Sequence, residues 1–383
     1  MATASTRKHV YLDHAASTPM HPEAAEAMQH YMTAEFANPS GAHGPARSAR
    51  RVIDESRDVV AEIIGCTPGE IVFTSGGTEG ANAAVLGAVR RSGARAVCPA
   101  AEHHAVLHCV EHTGGAVVPV NADGTVDTAA LSAELSRGGA GVVSVMAVNN
   151  EVGTVNDMAA VAAAVRRGAP GAVLHTDAVQ AACWLDLREL WPHVDVLTLS
   201  AHKFGGPKGA GVMVIRDGTQ LEPLILGGGQ ERDRRSGTLN IAGIAGTAVA
   251  FAVTNSRRAA EHARLDALRR RLVDGITTAI GCATQTVPAE SAVPGVAHIC
   301  FEGLESESLL FLLDERGVSV SAASACASGA MEPSHVLAAM GVPASRMMGS
   351  VRFSLGHTTT QEDVETAAGA AVESATRLLG ARK

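Results

Sequence analysis

Short apolar runs and amphipathic stretches take turns along the first two thirds of the chain. IVFT, ARAVCPA, GAVVPV, GVVSVMAV, AVLHTDA, VDVLTLSA and GVMVIRD are short and rich in β-branched residues, and each is read as a strand. They are apolar almost throughout, as strands covered on both faces are. Helical stretches separate several of them. One starts near His21-Pro22, ARSARRVIDESRDVVAEIIG runs to a stop at Gly65, and GGTEGANAAVLGAVRR and MAAVAAAVRRG are two more. Strands alternating with helices predict an α/β fold with a mainly parallel sheet, whose ligands sit at the carboxyl ends of the strands.

From about Asn255 the texture changes. A charged helix, SRRAAEHARLDALRRRLVDGI, leads to a strand in HICFEG, a helix in SESLLFLLDERG, a loop of small residues, a strand in VRFSLG and a polar helix from Gln361. The expected division is a large domain over 15–255 and a smaller α+β domain built from 1–14 and 256–383.

The chain of 383 residues can bury a large core, and its 46% hydrophobic and 18% charged residues describe a globular protein. A net charge of −8 with scattered basic residues argues against direct nucleic-acid binding. No apolar run reaches membrane-spanning length and the polar start lacks a signal-peptide core, so no membrane association is expected. The seven cysteines are dispersed without a Cys-x-x-Cys pair, which points to a reducing cytoplasm and to no structural zinc; no metal is expected.

Chemistry concentrates at the strand ends. VDVLTLSAHKFGGPKGAG delivers Ser200, His202 and Lys203 into a glycine-rich loop. A lysine amine at the mouth of a buried sheet has its charged form disfavoured, which suits it to Schiff-base chemistry. HTDAVQ ends another strand with Asp177. An amine and a carboxylate at adjacent strand ends are what pyridoxal 5'-phosphate needs, one holding its aldehyde and the other keeping its ring nitrogen protonated. The turn SGGTEG, with Gly77 and Thr78 at a helix start, reads either as a phosphate cradle or as a plain tight turn. His103 in AEHHAV could stack on a flat ring and shuttle protons, though a lone histidine is more often a satisfied structural residue. Asn150 in NNEVG is a hydrogen bonder or a turn former. Arg352 interrupts an apolar strand and needs an anion, either a substrate carboxylate or a structural partner. Cys326 lies in SAASACASGA, where no apolar periodicity exists to bury it, as suits a nucleophile that swings in and out of a site.

Taken in order, YLDHAAST, NPSGAHGPARSAR, FTSGGTEGAN, AEHHAV, NNEVG, HTDAVQ, SAHKFGGPKGAG, GGGQERDRRSGTLN, SACAS, EPSHVL and RFSLGHT resemble the class V aminotransferase-like cysteine desulfurases of the NifS/IscS type. The loop around Cys326 is similar to the longer loop of group I. The resemblance implies the fold-type-I architecture of pyridoxal-phosphate-dependent transferases, with a mainly parallel seven-stranded sheet, in a homodimer. It implies that Lys203 binds the cofactor covalently, Asp177 pairs with its ring nitrogen, and His103 stacks on the ring and acts in acid/base steps. Gln180 and Asn150 become ring-oxygen and substrate-side hydrogen bonders. Gly77, Thr78, Ser200 and His202 become phosphate contacts, and Thr238 the threonine supplied to the partner subunit. Arg352 would bind the carboxylate of L-cysteine and Cys326 would accept its sulfur, passing it to an acceptor protein such as a cluster scaffold or a thiolation enzyme.

Two departures stand out: SAASACAS where SSGSACTS is common, and GGTEGAN where GATESDN is common. Neither removes a catalytic group. The alternatives are a selenocysteine lyase, another class V aminotransferase that would not need Cys326, and a noncatalytic sulfur-relay scaffold.

Overall fold

The computed structural model describes residues 9–322 and 333–381. Strand β1 (Val10–Tyr11) precedes helices α1 (Pro22–Thr33) and α2 (Gly44–Ile64). Proline near the start of each helix costs no hydrogen bond there, and Gly65 ends α2 at φ 79°, a conformation glycine adopts without strain. Next come β2 (Ile71–Thr74), α3 (Gly77–Ser92), β3 (Arg95–Pro99), α4 (His104–His112), β4 (Ala116–Val118) and α5 (Thr128–Leu135). They are followed by β5 (Ala140–Ser144), α6 (Met158–Gly168), β6 (Val173–Asp177), α7 (Leu187–Leu190), β7 (Val196–Ser200) and β8 (Gly211–Ile215).

These strands form a seven-stranded sheet in the order β2-β8-β7-β6-β5-β3-β4. Only β8 runs against its neighbours, pairing antiparallel with both β2 and β7. The alternation along each strand assigns the two faces. Ile71, Phe73, Val97, Val143, Leu174, Leu197, Leu199, Val212 and Val214 pack in one cluster with apolar residues of α2, α5 and α6. Their neighbours Val72, Ala96, Cys98, Val142, Val196, Met213 and Ile215 pack with residues of α3 and α4 on the other face. Both faces are thus covered, which accounts for the nearly continuous apolar runs.

Helix α8 (Ile241–Ala279) is 39 residues long, about 58 Å at the usual rise. The charged helix expected from Ser256 therefore begins fifteen residues earlier than its composition suggests, because Ile241–Phe251 is apolar and small and carries no amphipathic contrast. Its first turns join the cluster beneath the large sheet, while Leu265, Leu268, Leu272 and Ile276 join a second cluster. That second cluster packs α8 and α12 (Gln361–Gly380) against strands β9 (Ala283–Gln285), β10 (Val296–Phe301) and β12 (Ser350–Ser354) and helix α9 (Ser306–Glu315). The three strands form an antiparallel sheet in the order β12-β10-β9. Strand β11 (Val318–Ser319) pairs in parallel with β1. Helices α10 (His335–Ala339) and α11 (Ala344–Met347) complete the described chain. No described helix is long and apolar enough to cross a membrane.

Candidate active site

The carboxyl ends of β6 and β7, the start of α3 and the turn before α4 enclose a cavity of about 330 Å³. Gly77, Thr78, His103, Asn150, Asp177, Gln180, Ser200, His202, Lys203 and Arg352 all line it. Thr238 does not: it is exposed in the segment before α8. Cys326 lies outside the described residues.

Asp177, the last residue of β6, is buried and accepts a hydrogen bond from the Val179 amide at 2.9 Å through Oδ1. Burial pushes its carboxyl pKa up, while His103, that amide and Lys203 oppose the rise. A cation brought to Asp177 would lower it again, because attraction to a nearby charge favours the ionised form. Lys203 follows β7, and its Nζ donates to the carbonyls of Ala15 and Ala16 at 2.7 and 2.9 Å. Ala15 O also accepts from Gln180 Nε2 at 2.8 Å, so the segment after β1 holds both side chains.

His103 is the N-cap of α4, and its Nδ1 accepts from the Ala105 amide at 3.1 Å. A neutral His103 therefore carries its proton on Nε2, the nitrogen left for a ligand. Burial lowers its pKa, with Asp177 pulling the other way. In the turn after β5, Asn149 is the turn former: its Oδ1 accepts from the amides of Glu151 and Val152 at 2.9 and 3.0 Å. Asn150 is left to line the cavity, and its carbonyl accepts from Arg352 Nη1 at 2.7 Å.

A helix start with glycines suits an anion. A Cβ on Gly77 would stand 2.5 Å from Val179 Cγ2, so only glycine lets the backbone pass this close. The first amides of the sixteen-residue α3 have no partner within the helix, and its dipole presents positive charge beside Ser200 and His202. Behind Lys203 lies a second cavity, lined by His14, His21 and His357 among others.

A family model for class-V aminotransferases matches residues 10–366. The chain belongs to this family. It is similar to an IscS-like cysteine desulfurase of Mycobacterium tuberculosis, 43% identical over 372 residues, which cover 93% of this chain and 94% of that protein. Among solved structures, a NifS-like protein matches with a TM-score of 0.90 and 33% identity over 97% of this chain and 100% of the other. A structure described as SspA in complex with cysteine matches at 0.76 and 31% identity over 90% of this chain and 98% of the other. This class V member is accordingly a pyridoxal-phosphate-dependent enzyme of the cysteine desulfurase type.

The residues fit that cofactor: an anion cradle at α3, a buried carboxylate on β6 and an amine on the loop after β7 all face one cavity. Several neighbours had no linear signal. Asp13 pairs with Arg352, Oδ1 to Nη2 at 2.9 Å. Glu102 is fully buried, with Oε1 accepting from the Met146 amide at 2.5 Å and Oε2 lacking a partner among the described residues. Burial holds its carboxyl well above the usual range. Glu151 accepts from Ser334 Oγ at 2.5 Å, and His335 Nε2 bonds the Glu102 carbonyl at 2.9 Å. Each of these contacts joins residues far apart in the chain.

Proposed function

We propose that this enzyme converts L-cysteine to L-alanine and transfers the sulfur to Cys326 as a persulfide. The observation that carries the reading is the convergence of Lys203, Asp177, His103 and Arg352 on one cavity. Lys203 would hold the cofactor, Asp177 its ring nitrogen, and Gly77, Thr78, Ser200 and His202 its phosphate. Gln180 and Asn150 would bond its ring oxygen and the substrate side. When bound, the cofactor would withdraw electrons from the substrate α-carbon and so let the adjacent carbon keep the electron pair of the C–S bond.

The chain's residues do the rest. Arg352 would bind the substrate carboxylate. Lys203, through its amine, would serve as the base toward the substrate α-carbon, and His103 would present Nε2 for proton exchange. The Cys326 thiolate attacks the substrate sulfur; an S–S bond forms, the substrate C–S bond breaks, and its electron pair stays with carbon, which is protonated to alanine. One thiol and one cysteine give one persulfide and one alanine, with no external oxidant or reductant.

The reading extends to a homodimer in which Thr238, exposed here, reaches the partner's phosphate site. It extends to a cytoplasmic setting, to a sulfur acceptor of the cluster-scaffold or thiolation class, and to a domain division at 15–255 against 1–14 and 256–383. Cys326→Ala should abolish sulfide release and persulfide formation from cysteine while the visible absorbance of the bound cofactor remains. Undiminished sulfide production by that variant would reject the role of Cys326. Selenocysteine turnover without cysteine turnover would favour the lyase alternative.

A further inference from the structure

Arg352 does not wait in the cavity with its fork open. Its Nη2 meets Asp13 Oδ1 at 2.9 Å and its Nη1 donates to the Asn150 carbonyl at 2.7 Å. The arginine side chain is 5% exposed and that of Asp13 22%. Nε is buried and has no partner among the described residues. A guanidinium has five donors and these two bonds use one on each terminal nitrogen, so those nitrogens can still take a carboxylate, but they do so beside a carboxylate already in place. We propose that Asp13 is a specificity-determining residue of the substrate site, an internal anion that offsets the charge of Arg352 and sets how tightly it takes an amino-acid carboxylate.

Two arguments support this. Asp13 lines the same cavity as Arg352 and Lys203, so an incoming carboxylate and Asp13 share one cation within a few ångströms. Like charges that close repel strongly in a partly desolvated site. Moreover, Asp13 is fixed from behind: its carbonyl accepts from the amides of Ala16 and Ser17 at 3.1 and 3.3 Å and from the Tyr11 hydroxyl at 3.0 Å. It stands on a tethered turn, not on a free-swinging loop. The consequence is selectivity. A simple anion that offers only charge gains little at Arg352, whereas an amino acid that also engages the amine end of the cavity is retained.

The proposal rests on the reading of Arg352 as the carboxylate binder, and the experiment separates the two. In the holoenzyme, Asp13→Asn keeps an oxygen for Nη2 and removes the charge. The KM for L-cysteine should fall about fivefold or more, the change appearing in KM rather than kcat. Inhibition by acetate and by inorganic sulfate should strengthen, and L-alanine should bind more tightly by calorimetry. Asp13→Ser, which also lacks the charge, should show the same sign for acetate and sulfate and replaces Asn should that variant fail to fold. A KM that is unchanged or raised, with anion inhibition unaltered, overturns the role of Asp13 provided Arg352→Gln still weakens L-alanine binding. Should Arg352→Gln leave L-alanine binding and KM untouched, the carboxylate reading itself falls and the role of Asp13 with it.

Discussion

Replacing Glu231 should cost more stability than any surface charge on this protein. Its carboxylate accepts from Arg57 Nη2 at 2.7 Å, from Arg57 Nη1 at 2.9 Å and from the Phe73 amide at 3.2 Å. The two side chains are 0% and 9% exposed. Removing one member of such a pair leaves a buried charge uncompensated, at a cost of about 3–5 kcal/mol. That figure matters locally. Glu231, Arg232 and Asp233 all have left-handed backbones, with φ of 50°, 56° and 62°. At roughly 1–2 kcal/mol for each such residue, the clamp and the strain it holds are of the same size. Glu231→Met should therefore both destabilise the fold and release the segment leading to Thr238. In thermal unfolding at fixed protein and cofactor concentration, a melting point lower by about 6–10 °C is expected at roughly 2 °C per kcal/mol. Limited proteolysis should newly cut near residues 229–238. The double variant Arg57→Met with Glu231→Met should recover part of the loss, since two apolar residues leave no charge unpaired while the Phe73 amide still lacks its acceptor. If Glu231→Met lies within about 1 kcal/mol of the parent, the argument that Arg57 depends on this carboxylate is wrong.

Other outcomes follow from the same geometry. Asp177→Asn should retain the bound cofactor, as judged by its absorbance, yet lose about 100-fold or more in turnover, because the carboxylate proposed to oppose the ring-nitrogen charge is gone. Glu102→Gln should be nearly silent in stability, since burial already favours the neutral acid, whereas Glu102→Ala leaves the Met146 amide unpaired and should cost about 1–3 kcal/mol in urea titration. His175 bonds Ser144 Oγ at 2.7 Å and Thr198 Oγ1 at 3.1 Å, and burial lowers its pKa from 6.5 to about 3. The unfolded chain then binds a proton that the folded one refuses between those values, so stability falls as pH drops through that window. The slope should approach about 1.4 kcal/mol per pH unit for this residue and flatten in His175→Gln.

Where sequence and structure agree, the reason is local. The strand ends at Asp177 and Ser200 are legible because an apolar run stops abruptly at polar residues. The start of α3 is legible because two glycines precede a helical pattern. The start of α8 is not legible because its first turns are glycine- and alanine-rich with no polar face, and amphipathicity is the only signal a single sequence offers there. In the site, residues facing the cavity from strand ends could be picked out one by one. Their partners could not. Asp13 reaches Arg352 across 339 positions and Ser334 reaches Glu151 across 183, through pairings of β1, β11 and β12 and the docking of α10 that no spacing encodes. Asn149 and Asn150 show the limit at its finest: both suit a turn and both suit a ligand, and only the fold separates them, Asn149 bonding the amides of the turn and Asn150 lining the cavity.

The uninterrupted run of α8 has a mechanical implication. Because one rod is anchored in both apolar clusters, neither half of the molecule can be excised at residue 255 without exposing the other's side of that rod. Expressed separately, the two fragments should be insoluble, and co-expression should rescue them only if the cut is moved outside the helix. The two apolar clusters are thus bolted to a common axle, and melting one loosens the seat of the other.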